Sequence, residues 1–496
     1  MGLLLVAERV RTLDPRRPGA RVVAVDGDRI TWVGDDPGQA PPARRRLDLD
    51  GAMLQPAFVD AHVHLTPTGL ALGGLDLSGC ASLAECLAAV RAAVDAGSRV
   101  VWGSGWDELV WPEQRAPSAD ELVEAARGRP TLLTRVDGHS AVTDRASLQA
   151  PPLAGAEGLE HDASGRPTGL LRRAAHHVAR RGFLAQVPDS QLSQARTLAA
   201  RHAVGLGLAS VHEMGGPDLM GQDDFDAWLG GRWPLEIVGY WGARDLGFVA
   251  RRGLRQAGGD LFVDGSLGSA TAALDDDYAD RPGRGFVYES AADLAAFVTA
   301  ATRRGVQVGV HCIGDRAVRQ SVDALEAAAG AVGVAAVRAA RHRLEHCELV
   351  PPELIRRIGA LGAVASVQPA FDRLWGGPGG LYERRLGPRR AALMNPLRSL
   401  ADAGVTLAFG SDANVTPLDP WAGVAAAVSH HHPDHRLDED TALRAAILGG
   451  RRAARQDGVG RIAPGQRADL AAFTLDDGAP GRCVLTMVRG VPVHAG

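Results

Sequence analysis

The sequence predicts an α/β fold in which a (β/α)8 barrel, or TIM barrel, carries a small composite β-sandwich domain built from both chain ends. Eight apolar, β-prone runs each end in polar residues, and helical runs rich in Ala, Arg, Leu and Glu lie between several of them. Alternation of strands and helices indicates a parallel sheet, and eight repeats indicate a closed barrel. Both chain ends contain short alternating runs, but each end alone has too few strands to bury a sheet face.

The composite domain is expected to comprise residues 1–52 and 455–496. Asp26-Gly27-Asp28 has the composition of a hairpin turn between two strands, and Arg489-Gly490 forms a second turn near the C-terminus. The strands of this domain are expected at Leu3–Val6, Arg21–Val25, Ile30–Val33, Ala468–Phe473, Val484–Val488 and Val491–His494.

The barrel is expected within residues 53–454. Residues 66–200 are expected to form a folded insertion between the first two barrel strands, because they contain β-prone runs of their own at Arg99–Gly103 and Thr131–Val136. The eight barrel strands are expected at Ala57–His64, Ala209–Met214, Leu235–Trp241, Leu261–Ser266, Gln307–Ile313, Arg343–Cys347, Ala363–Pro369 and Thr406–Asp412.

The composition excludes several classes of chemistry. The chain has 496 residues, and all 54 of its basic side chains are Arg, so it has no lysine for a Schiff base, a phosphate-binding loop or a carbamylated metal bridge. The net charge is −4 without a basic face, which argues against nucleic acid and anionic membranes as partners. Five scattered cysteines favour reduced thiols and a cytoplasmic location. The sequence leaves the choice between a monomer and a homodimer open.

Polar residues at the ends of the predicted barrel strands form a candidate metal site. His62 and His64 are two apart in the first strand and can therefore face the same way. His311, His346 and Asp412 end three other strands. Because the carboxyl ends of barrel strands meet at one mouth, these side chains should converge, and imidazole and carboxylate groups suit Zn²⁺.

Several motifs resemble those of a known family. The segment Gln55–His64 is similar to the first-strand motif of the amidohydrolase superfamily, with Ala57 in place of a glycine. Nearly the whole chain resembles the subgroup that contains N-substituted formamide deformylases and related uncharacterised hydrolases. The other segments that resemble this subgroup are Asp137–Ala141, Phe262–Ser269, Val310–Ala317, Leu344–His346, Ser366–Pro369, Gly410–Asp412 and Pro417–Trp421.

The resemblance implies metal-dependent hydrolysis of a non-peptide carbon–nitrogen bond in a small amide, such as an N-acyl or N-formyl amine. A bound ion would supply hydroxide near neutral pH. Asp412 is expected to serve as a ligand and general base, and His346, or the metal itself, to stabilise the oxyanion. The candidate substrate-binding residues are Asp137, His139, Asp264, Gln368 and Asn414.

The chain departs from the subgroup at Asp260, where many members have a carbamylated lysine that bridges two metals. Because an Asp side chain is much shorter, it is expected not to reach both ions, but Asp260 is a possible metal ligand in place of the bridging lysine. The favoured outcome is one Zn²⁺ per chain, bound by His62, His64, His311 and Asp412, with His346 as a weak ligand or hydrogen-bond donor to the substrate. Two ions bridged by Glu213, or a degenerate site that binds without catalysis, are the alternatives.

Two other functions are compatible with the same fold. A mononuclear deaminase would use the same ligands, but those enzymes need a Glu shortly after His311, where this chain has Cys312, Ile313, Gly314 and Asp315. A non-catalytic binding protein with a degenerate site is the third class of function.

Overall fold

The chain forms a mixed α/β structure whose strands belong to four sheets. The structure is a computed structural model, and it describes residues 2–149, 153 and 155–496. Numbered in chain order, the strands are β1 (Leu3–Arg11), β2 (Gly19–Asp26), β3 (Arg29–Gly34), β4 (Arg45–Pro56), β5 (Phe58–Val63), β6 (Leu75–Asp76), β7 (Val101–Trp106), β8 (Thr131–Arg135), β9 (Ser140–Thr143), β10 (Leu159–His161), β11 (Pro167–Arg172), β12 (Leu208–Gly215), β13 (Glu236–Trp241), β14 (Gln256–Phe262), β15 (Gln307–Cys312), β16 (Arg343–His346), β17 (Val364–Val367), β18 (Thr406–Phe409), β19 (Leu470–Asp476), β20 (Ala479–Val488) and β21 (Val491–Ala495).

Helices connect most of the strands. None of the helices in the described part of the chain is both long and apolar enough to cross a membrane. The α-helices are α1 (Leu65–Gly73), α2 (Leu83–Asp95), α3 (Ala119–Ala126), α4 (Arg145–Leu148), α5 (Arg173–Leu184), α6 (Asp189–Gly205), α7 (Gly221–Gly230), α8 (Leu246–Arg251), α9 (Ala291–Arg303), α10 (Asp315–Val332), α11 (Val334–Ala340), α12 (Pro352–Leu361), α13 (Pro369–Trp375), α14 (Leu381–Leu386), α15 (Pro388–Ala391), α16 (Leu397–Asp402), α17 (Pro420–Val428), α18 (Glu439–Arg444) and α19 (Gly450–Ala453), with short 3-10 turns at Pro37–Gln39, Glu108–Val110 and Pro433–His435 and a π-helical turn at Ala445–Gly449.

The two chain ends form one sheet of seven strands, in the order β21-β20-β19-β4-β1-β2-β3. The sequence predicted a sandwich for this domain. In the structure, hydrogen bonding joins all seven strands into one continuous mixed sheet. Gly27 adopts a φ of +57° in the turn between β2 and β3, a left-handed conformation that glycine adopts without steric cost. Leu5, Val23, Leu54 and Leu470 are fully or almost fully buried in the core beneath this sheet.

Eight parallel strands position the residues of the candidate site. They form a three-stranded sheet, β13-β12-β5, and a five-stranded sheet, β14-β15-β16-β17-β18. Backbone hydrogen bonds of 2.8 Å, from Asp412 N to His62 O and from His64 N to Ala413 O, join the chain beyond β18 to β5. Seven of the eight strands lie where the sequence predicts. The exception is β14, which begins at Gln256 rather than Leu261, because Gly258 and Gly259 interrupt its apolar pattern.

The segment between β5 and β12 contains a sheet of its own, in the order β10-β11-β9-β8-β7-β6. Strands β7 and β8 lie at the predicted positions. Helix α3 packs onto this sheet through buried Leu122 and Ala125, and a capping box between Ser118 and Glu121 begins it. The insertion is thus an ordered layer that carries α5 and Asp137.

Candidate metal centre

His62 of β5 and His64, which precedes α1, each have their Nδ1 atom engaged by a neighbouring oxygen. His62 Nδ1 lies 3.0 Å from the Glu345 carboxylate, and His64 Nδ1 lies 3.0 Å from the carbonyl oxygen of Met214. An imidazole that donates through Nδ1 keeps a lone pair on Nε2. Both Nε2 atoms are therefore available as metal ligands.

Asp260 lies between these histidines and two others. Its Oδ2 is 3.0 Å from His64 Nε2. Its Oδ1 is 3.5 Å from His62 Nε2, 3.4 Å from His311 Nδ1 and 3.6 Å from His346 Nε2. The expectation that an Asp at this position is too short for both halves of the site is therefore wrong in its geometric premise: one carboxylate reaches all four imidazoles.

A bulge in β14 explains this reach. Gly258 pairs with Gly309, and Phe262 pairs with His311. The register therefore advances by four residues in β14 and by only two in β15. Gly258 and Gly259 have φ values of +74° and +80°, and a Cβ on Gly258 would lie 1.9 Å from the Gly309 carbonyl oxygen. Only glycine fits this path. The bulge carries the Asp260 backbone inward and compensates for its short side chain.

Asp412 and His346 complete the set through unusual backbone conformations. Asp412 has a φ of +54°, and its Oδ1 lies 3.5 Å from His62 Nε2 and 3.2 Å from His64 Nε2. His346 has a φ of +66°, and its Nδ1 lies 3.0 Å from Gln368 Oε1, which leaves Nε2 facing Asp260. Left-handed backbone at non-glycine residues is costly and concentrates at functional sites. We name His62, His64, Asp260, His311, His346 and Asp412 the His/Asp cluster.

The His/Asp cluster has the chemistry of a divalent metal site. Four of its buried atoms, His62 Nε2, Asp260 Oδ1, His311 Nδ1 and His346 Nε2, have no hydrogen-bond partner among the described residues. Unpaired buried polar atoms are costly unless a ligand satisfies them. Two groups, His62/Asp260/His346 and His62/His64/Asp412, each bring their ligand atoms within 4.8 Å of one another. Imidazole nitrogens and carboxylate oxygens are suitable ligands for a divalent ion.

A buried ion pair beneath the cluster was not identified from the sequence. Arg343 Nε lies 2.7 Å from Glu345 Oε1, and Glu345 in turn holds His62. Burial raises the pKa of Glu345, but the Arg343 guanidinium outweighs it and the pKa is below its ordinary value. Glu345 therefore stays ionised and orients His62. The sequence did contain an indication of this pair, because Arg343 and Glu345 are two residues apart in a predicted strand that contains His346.

Two predicted substrate residues, Asp264 and Asp137, hold loops together through hydrogen bonds. Asp264 accepts hydrogen bonds from the backbone N–H groups of Ile313, Gly314 and Ala273, at 2.8 to 2.9 Å. Asp137 accepts hydrogen bonds from the Ser266 hydroxyl at 2.9 Å and from Ser269 at 2.7 Å, which connects the insertion to the loop after β14.

Gln368 and Glu213 also have different partners from those expected. Gln368 contacts His346 rather than the cavity. Glu213, the alternative bridging carboxylate, accepts a hydrogen bond from Leu65 N at 2.8 Å and belongs to neither group of candidate ligands. Burial raises the pKa of Glu213 to about 8.

A cavity opens onto the cluster from the side of the insertion. Three of the predicted substrate-binding residues, Asp137, His139 and Asn414, line it. The His139 ring centroid lies 5.3 Å from that of His311, and burial lowers the pKa of His139 to about 3, so this imidazole is neutral. His176, His177 and Arg180 of α5 line the same cavity and were not identified from the sequence. In the sequence, the helical spacing of these polar residues near Phe183 could have indicated them.

Comparisons with known proteins cover most of the chain. A family model described as "Amidohydrolase family" matches residues 45–494, which include the whole His/Asp cluster. Protein LONG AFTER FAR-RED 3 of Arabidopsis thaliana is 30% identical, over 95% of this chain and 87% of that protein. N-substituted formamide deformylase of Arthrobacter pascens is 27% identical, over 99% and 96%. A crystal structure of an uncharacterized metal-dependent hydrolase from Pyrococcus furiosus has a TM-score of 0.74 at 25% identity, covering 96% of this chain and 99% of that one.

Proposed function

Because the chain belongs to the amidohydrolase family, we propose that it cleaves an amide or formamide-like bond of a small molecule with metal-activated water. The chain is a hydrolase that acts on carbon–nitrogen bonds other than peptide bonds. The observation that carries the proposal is that three unpartnered buried histidine nitrogens lie 3.4 to 3.6 Å from the unpartnered Oδ1 of Asp260. The proposal includes closure of the eight parallel strands into a (β/α)8 barrel, with the His/Asp cluster at the carboxyl ends of those strands.

We propose two divalent ions, most simply Zn²⁺, rather than the single ion expected from the sequence. His62, His64 and Asp412 would hold one ion, and His311 and His346 the other. Asp260 Oδ2 lies near His64, and Oδ1 lies between His62 on one side and His311 and His346 on the other. This arrangement supports Asp260 as the bridging ligand in place of the lysine that the chain lacks.

The residues around the ions have distinct roles in the proposed hydrolysis. Bound divalent ions lower the pKa of water and polarise a substrate carbonyl. Asp412 would accept the proton from the attacking water and return it to the leaving amine. Neutral His139, on the cavity wall, would donate a hydrogen bond to the carbonyl oxygen, a role first expected of His346. His346 is instead held by Gln368 as a ligand.

The proposed substrate is a small N-acyl or N-formyl amine or a cyclic amide. The insertion covers part of the cavity, which favours a small molecule, and the formamide deformylase relative supports this substrate class. Deamination is less well supported, because no Glu follows His311, and Asp315 accepts a hydrogen bond from Asp275 N instead. A non-catalytic binding protein remains the alternative.

Asp412→Asn tests the proposal. We expect kcat/KM for N-formyl amines to fall by at least about 10³-fold, because Asn cannot accept the proton. Hydrolysis is followed by formate and amine release, and bound metal by elemental analysis. Asp402→Asn, an exposed change on α16, is the matched control and should keep wild-type activity. Full activity of Asp412→Asn with normal metal content would refute the role of Asp412. A metal-replete wild type that hydrolyses no amide would support the binding-protein alternative.

A further inference from the structure

Helix α5 places an arginine on its buried face. The buried residues of this helix are Ala175, His176, Arg180 and Phe183, at spacings that place them on one side. That side faces the cavity above the His/Asp cluster, so Arg180 occupies a position where a helix of this pattern would normally carry an apolar residue. Only 8% of the Arg180 surface remains exposed.

Arg180 differs from the other buried arginines. Its guanidinium has no hydrogen bond or ion pair with any residue in the described part of the chain, and its Nε is buried without a partner. Each of the others contacts a carboxylate: Arg135 pairs with Glu108, Arg343 with Glu345, Arg385 with Asp280 and Arg451 with Glu236. A buried guanidinium without an anion is destabilising, so an anion is the missing partner.

The surrounding groups compensate the positive charge of Arg180 only through a Coulombic attraction to Asp260, without a direct contact. Burial lowers the pKa of Arg180 to about 10, so the side chain stays protonated at neutral pH. Arg173, at the rim of the same cavity, pairs with Glu157. Burial lowers the pKa of His176 well below its ordinary value, and it also lowers the pKa of His177. Both imidazoles are therefore uncharged at neutral pH and do not balance the charge of Arg180. The three carboxylates that line the cavity have other partners: Asp260 and Asp412 face the histidines of the cluster, and Asp137 accepts hydrogen bonds from serine hydroxyls.

We propose that the substrate carries a carboxylate, and that Arg180 binds it while the amide group lies at the His/Asp cluster. This inference rests on the proposed hydrolase function. The cavity is continuous from Arg180 to Asp260, His311 and Asp412, so one small molecule can contact both ends. A planar guanidinium matches a carboxylate in a bidentate fork. The substrate class is therefore an N-acylated or N-formylated amino acid.

Matched substrate pairs test the inference. The probes are N-formylglycine, N-formyl-β-alanine and N-formyl-γ-aminobutyrate, each compared with its own carboxamide, which has nearly the same shape without the charge. The three chain lengths cover different distances between the formyl group and the carboxylate. For the best length we expect the wild type to prefer the acid by at least about 30-fold in kcat/KM, the effect of a charge-assisted hydrogen bond.

Arg180→Met should reduce that preference to about one-fold, with little loss of activity on the carboxamide. Arg180→Lys should restore part of it, because the charge returns without the fork. Arg181→Met is the matched control, since Arg181 is next on the helix but pairs with Asp218 at the surface. Its preference should equal that of the wild type. Arg180→Met should also keep its melting temperature, because the guanidinium has no ion pair to lose.

Two results would overturn the inference. One is a wild type that shows no preference for any acid over its carboxamide. The other is an Arg180→Met variant that loses activity equally on acids and carboxamides, which would make Arg180 a general positioning residue. Calorimetric titration of the metal-replete protein with the same probes separates this outcome from failure of the proposed function. Acids that bind through Arg180 but are not hydrolysed would refute hydrolysis and support the carboxylate site.

Discussion

Two buried charge clusters lie at opposite ends of the eight parallel strands. At the amino end of β13, Glu236 contacts Arg451 at 2.6 Å and Arg467 at 2.7 Å, and Arg451 also contacts Asp469 at 2.8 Å. We name these four residues the junction cluster, because they connect β13 and α19 to the terminal sheet. At the carboxyl ends, Asp260 faces imidazoles instead of guanidinium groups.

The difference between the clusters separates a structural role from a functional one. Guanidinium groups are permanent cations, so the junction cluster is complete as the chain folds. Imidazoles bind a metal in the neutral form, so in the metal-bound protein the two carboxylates of the His/Asp cluster would be balanced by cations from outside the chain. Loss of a charge from the junction cluster should therefore reduce stability. Loss of a charge from the His/Asp cluster should reduce metal binding.

Asp260→Asn should have the largest effect. Asn cannot bridge two cations, so we expect metal content to fall and kcat/KM to drop by at least about 10³-fold. The melting temperature of the metal-free protein should also fall, because the variant loses the attraction of Asp260 to His62 and His64. Elemental analysis, kinetics and calorimetry measure the three quantities. A variant that kept two ions and full activity would contradict the bridging role.

Glu236→Gln should reduce stability without reducing activity. Removing Glu236 from this largely buried network leaves Asp469 as the one carboxylate shared by Arg451 and Arg467 and costs at most about 3–5 kcal/mol in the free energy of unfolding. The activity of the folded variant should be unchanged. Denaturant titration and kcat/KM measure the two effects. Glu353→Gln is the control, since Glu353 pairs with Arg319 at the exposed surface and should cost under about 1 kcal/mol. Equal losses of stability in the two variants would remove the distinction.

Acid should weaken the junction by a smaller amount. Burial raises the pKa of Glu236, but Arg467 and Arg451 outweigh it and lower the pKa to about 2. The stabilisation from a lowered carboxyl pKa is fully present above the unfolded-state value of about 4.5 and is lost as pH falls toward 2. We expect at most about 3 kcal/mol from this group. Unfolding of wild type and Glu236→Gln from pH 5 to pH 3 measures it, and parallel pH profiles would contradict it.

Much of the site followed from short-range rules. His62 and His64 alternate in one strand, and His311, His346 and Asp412 each follow an apolar run, so their convergence could be expected once eight strands were recognised. The resemblance to amidohydrolases, confirmed by the match over residues 45–494, rests on the same positions.

The roles of other residues depended on contacts that strand periodicity does not encode. Asp264 was assigned to substrate because it follows a strand, but three backbone amides occupy its carboxylate. Gln368 lies near the cavity but contacts His346. Arg180 is in the insertion, more than a hundred residues from His62, and nothing local indicates that α5 covers the cluster.

By itself the sequence determined the alternation of strands and helices, the ligand types and the absence of a lysine bridge, because these depend on residue identity and local periodicity. The tertiary structure alone decided that Asp260 reaches both halves of the site. That outcome depends on the left-handed turn at Gly258 and Gly259, which moves the backbone inward against β15. Side-chain length can be read from a residue name, whereas the distance that the side chain must span is set by the backbone path.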